Sequence, residues 1–416
     1  MKVLKFGGTS VGSARRIEHV ADLVCKSLER NIVVLSAMSG TTNSLLEISE
    51  YLYKGNVPGA QETINALEGK YIATLSELFP DEKTRNQAAS AIGRSFALLR
   101  SYCGAPLTAA SEKEILAQGE LMSTAMMQCL LTSRKIKSVL LPALDYMRTL
   151  DNGEPDMPHI SSHLRRLIDL DPEAQVFLTQ GYICRNDHGG VDNLKRGGSD
   201  YTASIIGAVL DAEEIQIWTD IDGMHNNDPR YVDGTSPVRQ LHFEEAAELA
   251  YFGAKILHPS CVLPAKLHNI PVRLLNTMDP HAPGTLICNA SPDGTIKAIA
   301  AKDGITAIKI KSGRMLLAYG FLHKVFETFE NHRTSIDMIA TSEVGVTVTI
   351  DDDSRLAAIV DDLKHFGTVT VDTDMVIICV VGDLEWHNCG FEARVLEALA
   401  GIPVRMISYA VFCLKK

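Results

Sequence analysis

The chain has 416 residues, of which 46% are hydrophobic and 22% charged, and a formal net charge of −11. That length exceeds what one hydrophobic core usually organises, so two or three domains are expected. The acidic balance argues against nonspecific nucleic-acid binding, which needs a basic footprint, but a local cluster of Lys and Arg can still receive an anionic substrate.

The same numbers narrow the setting. No window approaches the roughly 18 consecutive apolar residues of a membrane span, and a first strand beginning at about residue 2 leaves no room for a targeting peptide. Nine scattered cysteines without a CxxC pair read as reduced thiols of a cytoplasmic protein and not as a zinc site.

In chain order, strands are expected at 3–6, 32–36, 139–141, 176–179, 215–219 and 272–275, several of them nearly continuous in apolar character, as strands covered on both faces are. Ile17, Val20, Ala21, Val24 and Leu28 recur as one helix face between the first two. Strands alternating with helices predict an α/β domain on a largely parallel sheet. Residues 44–135 form a long helical interruption. The Pro-, Gly-, Asp- and Asn-rich stretch "DPHAPGTLICNASPDGT" at 279–295 marks a boundary. The expected division is a catalytic domain at 1–290, a linker at 291–303, and two βαββαβ-like units at 304–373 and 374–416, the second cut short. Within these units, strands are expected at 305–311, near 335–341, 344–350, 368–372, 376–381 and 404–408, with helices over about 320–332, 354–366 and 391–400.

"KFGGTSV" at 5–11 ends the first strand. Successive glycines let backbone N–H groups approach a phosphate, and Lys5 supplies a point charge, although a glycine turn after a strand is often only a turn. A second turn, "KRGGSDYTA" at 195–203, puts Arg196 before the glycines and Asp200 after them. Arg offers a fork that matches carboxylate or phosphate. Asp200 is open to three readings: it orients a lysine, holds a metal ion, or N-caps the next helix. "WTDIDGMHNNDPR" at 218–230 has the turn residues of a nucleotide-contacting loop, or of an ordinary one. "GELMSTA" at 119–125 places Glu120 at an expected helix start, as a dipole partner or a clamp for an ammonium. "GAKILHP" at 253–259 supplies Lys255, with a solvated surface lysine as the alternative, and a structural His258. Two lysines, an arginine, two glycine turns and two acids suit phosphoryl transfer, which is mostly positioning and charge neutralisation.

These motifs, together with "VVLSAMSGTTN" at 33–43, occur in the order found in aspartokinases, and the chain resembles that family over essentially its whole length. The resemblance implies an amino-acid-kinase (carbamate-kinase-like) fold with C-terminal ACT domains. It also implies transfer of the ATP γ-phosphate, with Mg²⁺, to the side-chain carboxylate of L-aspartate, the first step toward lysine, threonine, methionine and diaminopimelate. Lys5, Gly8 and Lys255 fall on the phosphate-stabilising positions. Glu120 and Arg196 match the pair that holds the α-ammonium and α-carboxylate, with Ser36 and Thr42 beside them, and Asp200 matches the acid that places the amine and the lysine. Thr219, Asp220, His225, Arg230 and Ile256 match nucleotide contacts. "GFLHKVFETF…SIDMIATSE" at 320–343 resembles a lysine-sensing ACT domain. Met315, Ala318, Phe321, Leu322, Ser335, Ile336, Asp337, Thr341 and Ser342 would line its effector pocket, with Asp337 the partner of an effector ammonium. Threonine is the alternative effector, and an ordinary strand–helix core is the alternative for the whole set. Family architecture further implies that strand 305–311 pairs with the second ACT unit, and that these domains join homodimers or homotetramers.

The chain departs from the family pattern at "DNLK", 192–195, where Asp192 and Lys195 replace expected small residues, at His225 in place of an aromatic contact, and at its end, "ISYAVFCLKK". The rival functions are a kinase for glutamate, acetylglutamate or a nucleotide, and a catalytically silent amino-acid sensor.

Overall fold

The computed structural model describes residues 1–26, 29–104, 106–194, 197–253, 257–290, 296–312, 319–382 and 390–399. The chain divides into two compact units. The first comprises Met1–His225, Ser236–Ala250 and Lys255–Ser291, and the second Asn226–Thr235, Tyr251–Ala254 and Pro292–Lys416.

The first unit begins with β1 (Lys2–Phe6), α1 (Ala14–Lys26) and β2 (Asn31–Leu35). Every residue of β2 is buried, as is all of β1 after Lys2, which is why both read as continuous apolar runs. Ile17, Val20, Ala21 and Val24 form the buried stripe of α1. Four helices follow, α2 (Thr41–Tyr53), α3 (Val57–Leu78), α4 (Glu82–Ser101) and α5 (Ala109–Ser133). Three start on side-chain caps: Asn56 accepts from Gly59 N, Asp81 from Thr84 N and Thr108 from Ser111 N. Ile64, Tyr71 and Leu75 of α3 and Phe96 of α4 are essentially solvent-free, and truncating Leu75 to Ala would cost about 2–5 kcal/mol.

Next come β3 (Ser138–Leu141), α6 (Met157–Asp169), β4 (Val176–Gln180), the hairpin β5 (Ile183–Arg185) and β6 (Val191–Asn193), α7 (Gly198–Leu210) and β7 (Ile215–Thr219). Then β8 (Gln240–His242), α8 (Phe243–Phe252), α9 (Leu263–Leu267), β9 (Val272–Asn276) and β10 (Thr285–Cys288) follow. Eight strands make one sheet in the order β3-β4-β2-β1-β7-β9-β10-β8. All its pairs are parallel except β9 with β10. β1 is flanked by β2 on one side and β7 on the other, so the chain leaves it in opposite directions. In open α/β sheets ligands bind beyond the carboxyl ends of strands at such a point. Sequence reading did not resolve β5, β6, β8 or β10, which have only three or four residues each and carry no period of their own.

The second unit contains β11 (Ile296–Lys311), α10 (Phe321–Asn331), β12 (Met338–Ser342), β13 (Gly345–Ile350), α11 (Leu356–Leu363), β14 (Thr368–Gly382) and α12 (Phe391–Leu399). Its antiparallel sheet has the order β12-β13-β11-β14, and Val325, Phe329, Ile359 and Leu363 from its helices pack on Ile308, Ile310 and Val348. Three expectations need correction. Strand 305–311 pairs with β13 and, from Ala307 to Lys311, with residues 368–372 of β14; it reaches the expected second unit only where Ile305 faces Met375. The segment expected as linker is itself strand, its residues 296–302 pairing with the latter half of β14. The strands expected at 368–372 and 376–381 are one strand, continuous through Asp374 at φ 57°. The cause is common to all three: β11 and β14 run alongside each other for their whole lengths and absorb the bend as register shifts between Ile296 and Ala298, Lys302 and Ile305, and Ile305 and Ala307. The strand expected at 404–408 lies outside the described residues.

Candidate active site

The loop after β1 and the loop after β2 are stitched together. Ser36 N donates to Phe6 O, Ser39 N to Gly8 O, and Gly7 N to Trp218 O at the end of β7. A Cβ at Gly8 would lie 2.8 Å from the Ala37 carbonyl, so the close approach of the two loops needs glycine there. Helix α3 supports the second loop from behind. Lys70 Nζ donates to Ser39 O at 2.5 Å, and the buried Tyr71 hydroxyl meets Thr41 Oγ1 at 3.0 Å. Sequence reading missed both groups, whose partners lie about 30 residues away, in the loop after β2 and at the start of α2.

These loops, α5 and the start of α7 enclose a cavity of about 730 Å³ lined by Lys5, Gly8, Ser36, Thr42, Glu120 and Asp200 among others. Six residues singled out from sequence thus meet at one place. Lys5 Nζ lies 2.7 Å from Asp200 Oδ1, and each side chain is only 10% exposed. Asp200 lies in the first turn of α7. The cap position is Gly197, in the left-handed region at φ 69°, where a Cβ would meet Cys261 Sγ at 2.5 Å and His258 Cβ at 2.9 Å. Of the readings left open for Asp200, the lysine pair is present in the structure, and the cap position is taken by Gly197.

Glu120 requires a correction. It does not start a helix; α5 begins at Ala109 on the Thr108 cap, so Glu120 lies in the middle of a 25-residue helix. It is 5% exposed, and its Oε1 accepts from Ala37 N at 3.2 Å. Burial pushes its carboxyl up to about 8, with the bonds from backbone N–H groups working the other way. A buried acid held neutral beside a cavity is poised to ionise when a cation arrives. Ser123 Oγ, also from α5, donates to Ser36 O at 2.8 Å. Asp192 stands in β6 with its carboxylate 2.6 Å from Lys113 Nζ, so its charge is already answered.

Among the described residues, Thr219, Asp220, His225 and Arg230 do not line this cavity. Thr219 ends β7, its hydroxyl accepting from Ile221 N at 3.2 Å, and Asp220 is exposed beside it. His225 Nε2 lies 2.7 Å from Asp222 Oδ1. Arg230, in a stretch belonging to the second unit, makes a two-pronged pair with Asp228. Lys195, Arg196, Lys255, Ile256, Met315 and Ala318 lie outside the described residues.

Within the second unit, Phe321 and Ile336 pack at the edge of its core, while Leu322 is 38% exposed and Ser335, Thr341 and Ser342 are exposed. Asp337 differs from them: its side chain is fully buried and ion-paired with Lys302 at 3.0 Å.

A buried lysine–aspartate pair among glycine turns, at the carboxyl ends of a parallel sheet, suits phosphate handling, and residues 1–276 match the amino acid kinase family. The chain is 32% identical to lysine-sensitive aspartokinase 3 of Escherichia coli (strain K12) over 98% of its own length and 92% of that protein's. The crystal structure of E. coli aspartokinase III in complex with aspartate and ADP superposes with a TM-score of 0.84 at 33% identity, covering 99% of this chain and 94% of the other. The complex of the same enzyme with lysine and aspartate gives 0.78, with the same identity and coverage. The chain belongs to the aspartokinases, and both its parallel-sheet domain and its C-terminal antiparallel unit are those of the expected class.

Among the described residues, no helix is long and apolar enough to cross a membrane.

Proposed function

We propose that this chain phosphorylates the side-chain carboxylate of L-aspartate with ATP, giving 4-phospho-L-aspartate and ADP, and that lysine inhibits it. The observation that carries the reading is the shared cavity of Lys5, Asp200 and Glu120. Aspartate brings an ammonium, which suits a buried glutamate lining the cavity, and the nucleotide brings phosphates, which suit a fixed ammonium among backbone N–H groups.

A carboxylate oxygen of aspartate attacks the γ-phosphorus while the bond from that phosphorus to the ADP oxygen breaks. The attacking group is already ionised near pH 7, so no general base is needed. Asp200 holds Lys5 in place, and Lys5, with its side chain only 10% exposed, offsets charge on the phosphoryl group. Glu120 ionises as it takes the α-ammonium. Arg196 and Lys255 are assigned by resemblance to the α-carboxylate and the phosphates, and Thr219, Asp220, His225, Arg230 and Ile256 to the nucleotide. Among the described residues no three His, Cys, Asp or Glu side chains gather for a metal, and the pocket's Asp200 is engaged by Lys5. Mg²⁺ is read as accompanying the nucleotide substrate, as is usual where phosphates supply its oxygen ligands.

A coupled ADP-release assay with aspartate, glutamate and acetylglutamate, with and without lysine, tests the reading. Turnover with aspartate alone is expected, falling in millimolar lysine. No turnover together with lysine binding would favour the silent sensor instead. Assembly as a homodimer or homotetramer through the C-terminal unit belongs to the same proposal, and light scattering checks it.

A further inference from the structure

Lys302 occupies an unusual place for a lysine. It is on β11, in step with Ala298 and Ala300, which are 2% and 5% exposed, so strand alternation turns it toward the covered face. Its Nζ lies 3.0 Å from Asp337 Oδ1, 2.9 Å from Asp351 Oδ2 and 4.3 Å from the centroid of the Tyr251 ring. The Tyr251 hydroxyl donates to the same Asp337 oxygen. Asp337 Oδ2 is buried and lacks a partner. Asp351 is 43% exposed, against 0% for Asp337.

Two carboxylates therefore share one ammonium, and the cluster carries a net charge of −1. The buried carboxylate has an unused oxygen, while the exposed one can keep a lysine at little desolvation cost. We propose that Lys302 is an internal ligand of the Asp337 site, filling the acceptor that an effector's primary ammonium needs and moving onto Asp351 when that ammonium arrives. This rests on the reading of Asp337 as the effector's acceptor and adds the group that competes for it.

The alternative of adding a second ammonium beside the first is opposed by repulsion between like charges in a partly buried site. After exchange each carboxylate has its own cation and the cluster is neutral. Because Lys302 is tethered, its effective concentration at Asp337 is high, and a free amine binds with an affinity reduced by the fraction of time the acceptor is open. Lys302 thereby sets the concentration at which the effector acts.

The test is calorimetric titration of L-lysine into the full chain, its Lys302→Met variant and its Asp351→Asn variant. Removing the competitor is expected to tighten lysine binding by about tenfold or more, and removing its alternative berth to weaken binding several-fold. A scaffolding role for Lys302 would weaken binding in both variants, and that result, or an unchanged affinity in Lys302→Met, overturns the proposal. If Lys302→Met does not fold, unchanged or tighter binding in Asp351→Asn overturns it equally. A second arm does not depend on lysine as effector. n-Butylammonium chloride is expected to raise the melting temperature of Lys302→Ala above that of a sodium chloride control, and to leave Lys302→Ala/Asp337→Ala unaffected. If lysine binds no variant but butylammonium rescues, the internal ligand stands and the effector reading fails. If butylammonium does not rescue, the internal ligand fails.

Discussion

The two units each hold a lysine ammonium against a buried aspartate, at 2.7 Å for Lys5 with Asp200 and 3.0 Å for Lys302 with Asp337. The surroundings differ. Lys5 and Asp200 are equally shielded, form a neutral pair, and border a cavity walled by glycine turns and a helix start, where the remaining local partial charge is positive. Lys302 is divided between two carboxylates, where the remaining charge is negative. The same pair of residue types thus prepares one site for an anion and the other for a cation. What decides is the charge left over once the pair has formed.

The largest test of this contrast is Lys5→Ala. Turnover is expected to fall by about 10² or more, with weaker loss of ATP binding, because the cation acts on the phosphoryl group in transit. Leaving Asp200 buried without its partner also destabilises the fold, by about 3–5 kcal/mol. The paired change Lys5→Met/Asp200→Asn should recover much of that stability and none of the turnover, and a denaturant titration beside the ADP-release assay separates the two effects. Near-normal turnover in Lys5→Ala would show that the phosphate lies elsewhere.

Next in size, Asp337→Ala removes the acceptor in the second unit and should raise the half-inhibitory lysine concentration at least tenfold, about 1.4 kcal/mol of lost effector binding. A dose–response curve in the same assay reads this directly, and an unaltered curve places the effector away from Asp337.

Glu120 supplies a test by pH. Burial holds its carboxyl at about 8, against an ordinary value of 4.5, so between those values the folded chain keeps a proton that the unfolded chain gives up. Glu120 therefore favours the folded state below about 4.5, and that contribution is lost as pH rises through about 8. Aspartate must expel the same proton, so its KM should rise as pH falls from about 8 toward 6, by up to about tenfold per unit, while Glu120→Gln gives a high and flat KM. Titration in buffers of different ionisation heat should show up to one proton released on binding. A KM independent of pH in the unaltered protein would remove Glu120 from the ammonium subsite.

Smallest is Tyr251→Phe, which keeps the ring over Lys302 but removes the hydroxyl donor to Asp337. It should cost about 1 kcal/mol in a urea titration and much less than Asp337→Ala in lysine response. A larger effect on inhibition than on stability would make Tyr251 a part of the effector site.

Much of the first unit was legible because its signals are local. Strand 215–219 is observed with those bounds, and Lys5, Gly8 and Asp200 sit beside glycine turns that announce themselves. Glu120 was placed in the right cavity for the wrong local reason. A Gly-Glu pair reads as a helix start, but the 25 residues of α5 run straight through it because Gly119 fits against Ala37, Leu45 and Thr41, where a Cβ would lie 2.7 Å from Ala37 Cβ. Lys70 and Tyr71 were invisible because their role depends on tertiary packing of α3. In the second unit most strands were legible, but the run 296–302, expected as linker, was not, nor was strand pairing, since antiparallel register is set by contacts far apart in sequence. Lys302 did leave a trace: alternation through Ala298 and Ala300 puts a lysine on a buried face, and a buried lysine calls for an acid.

The ladder between β11 and β14 also bears on how the second unit comes into being. Its rungs run from Lys311 with Thr368 to Ile296 with Gly382, so each joins residues separated by the whole of α10, β12, β13 and α11. Sheets with such distant pairings fold slowly, on a scale of milliseconds to seconds, because long loops must close before the contacts reward it. On the ribosome β11 emerges well ahead of β14, and until then its alternating apolar face and open edge are available to other chains. Lys302 and Lys309, charged residues set into that strand, are of the kind that blunts edge-to-edge association, and in the finished fold each is paired with aspartate.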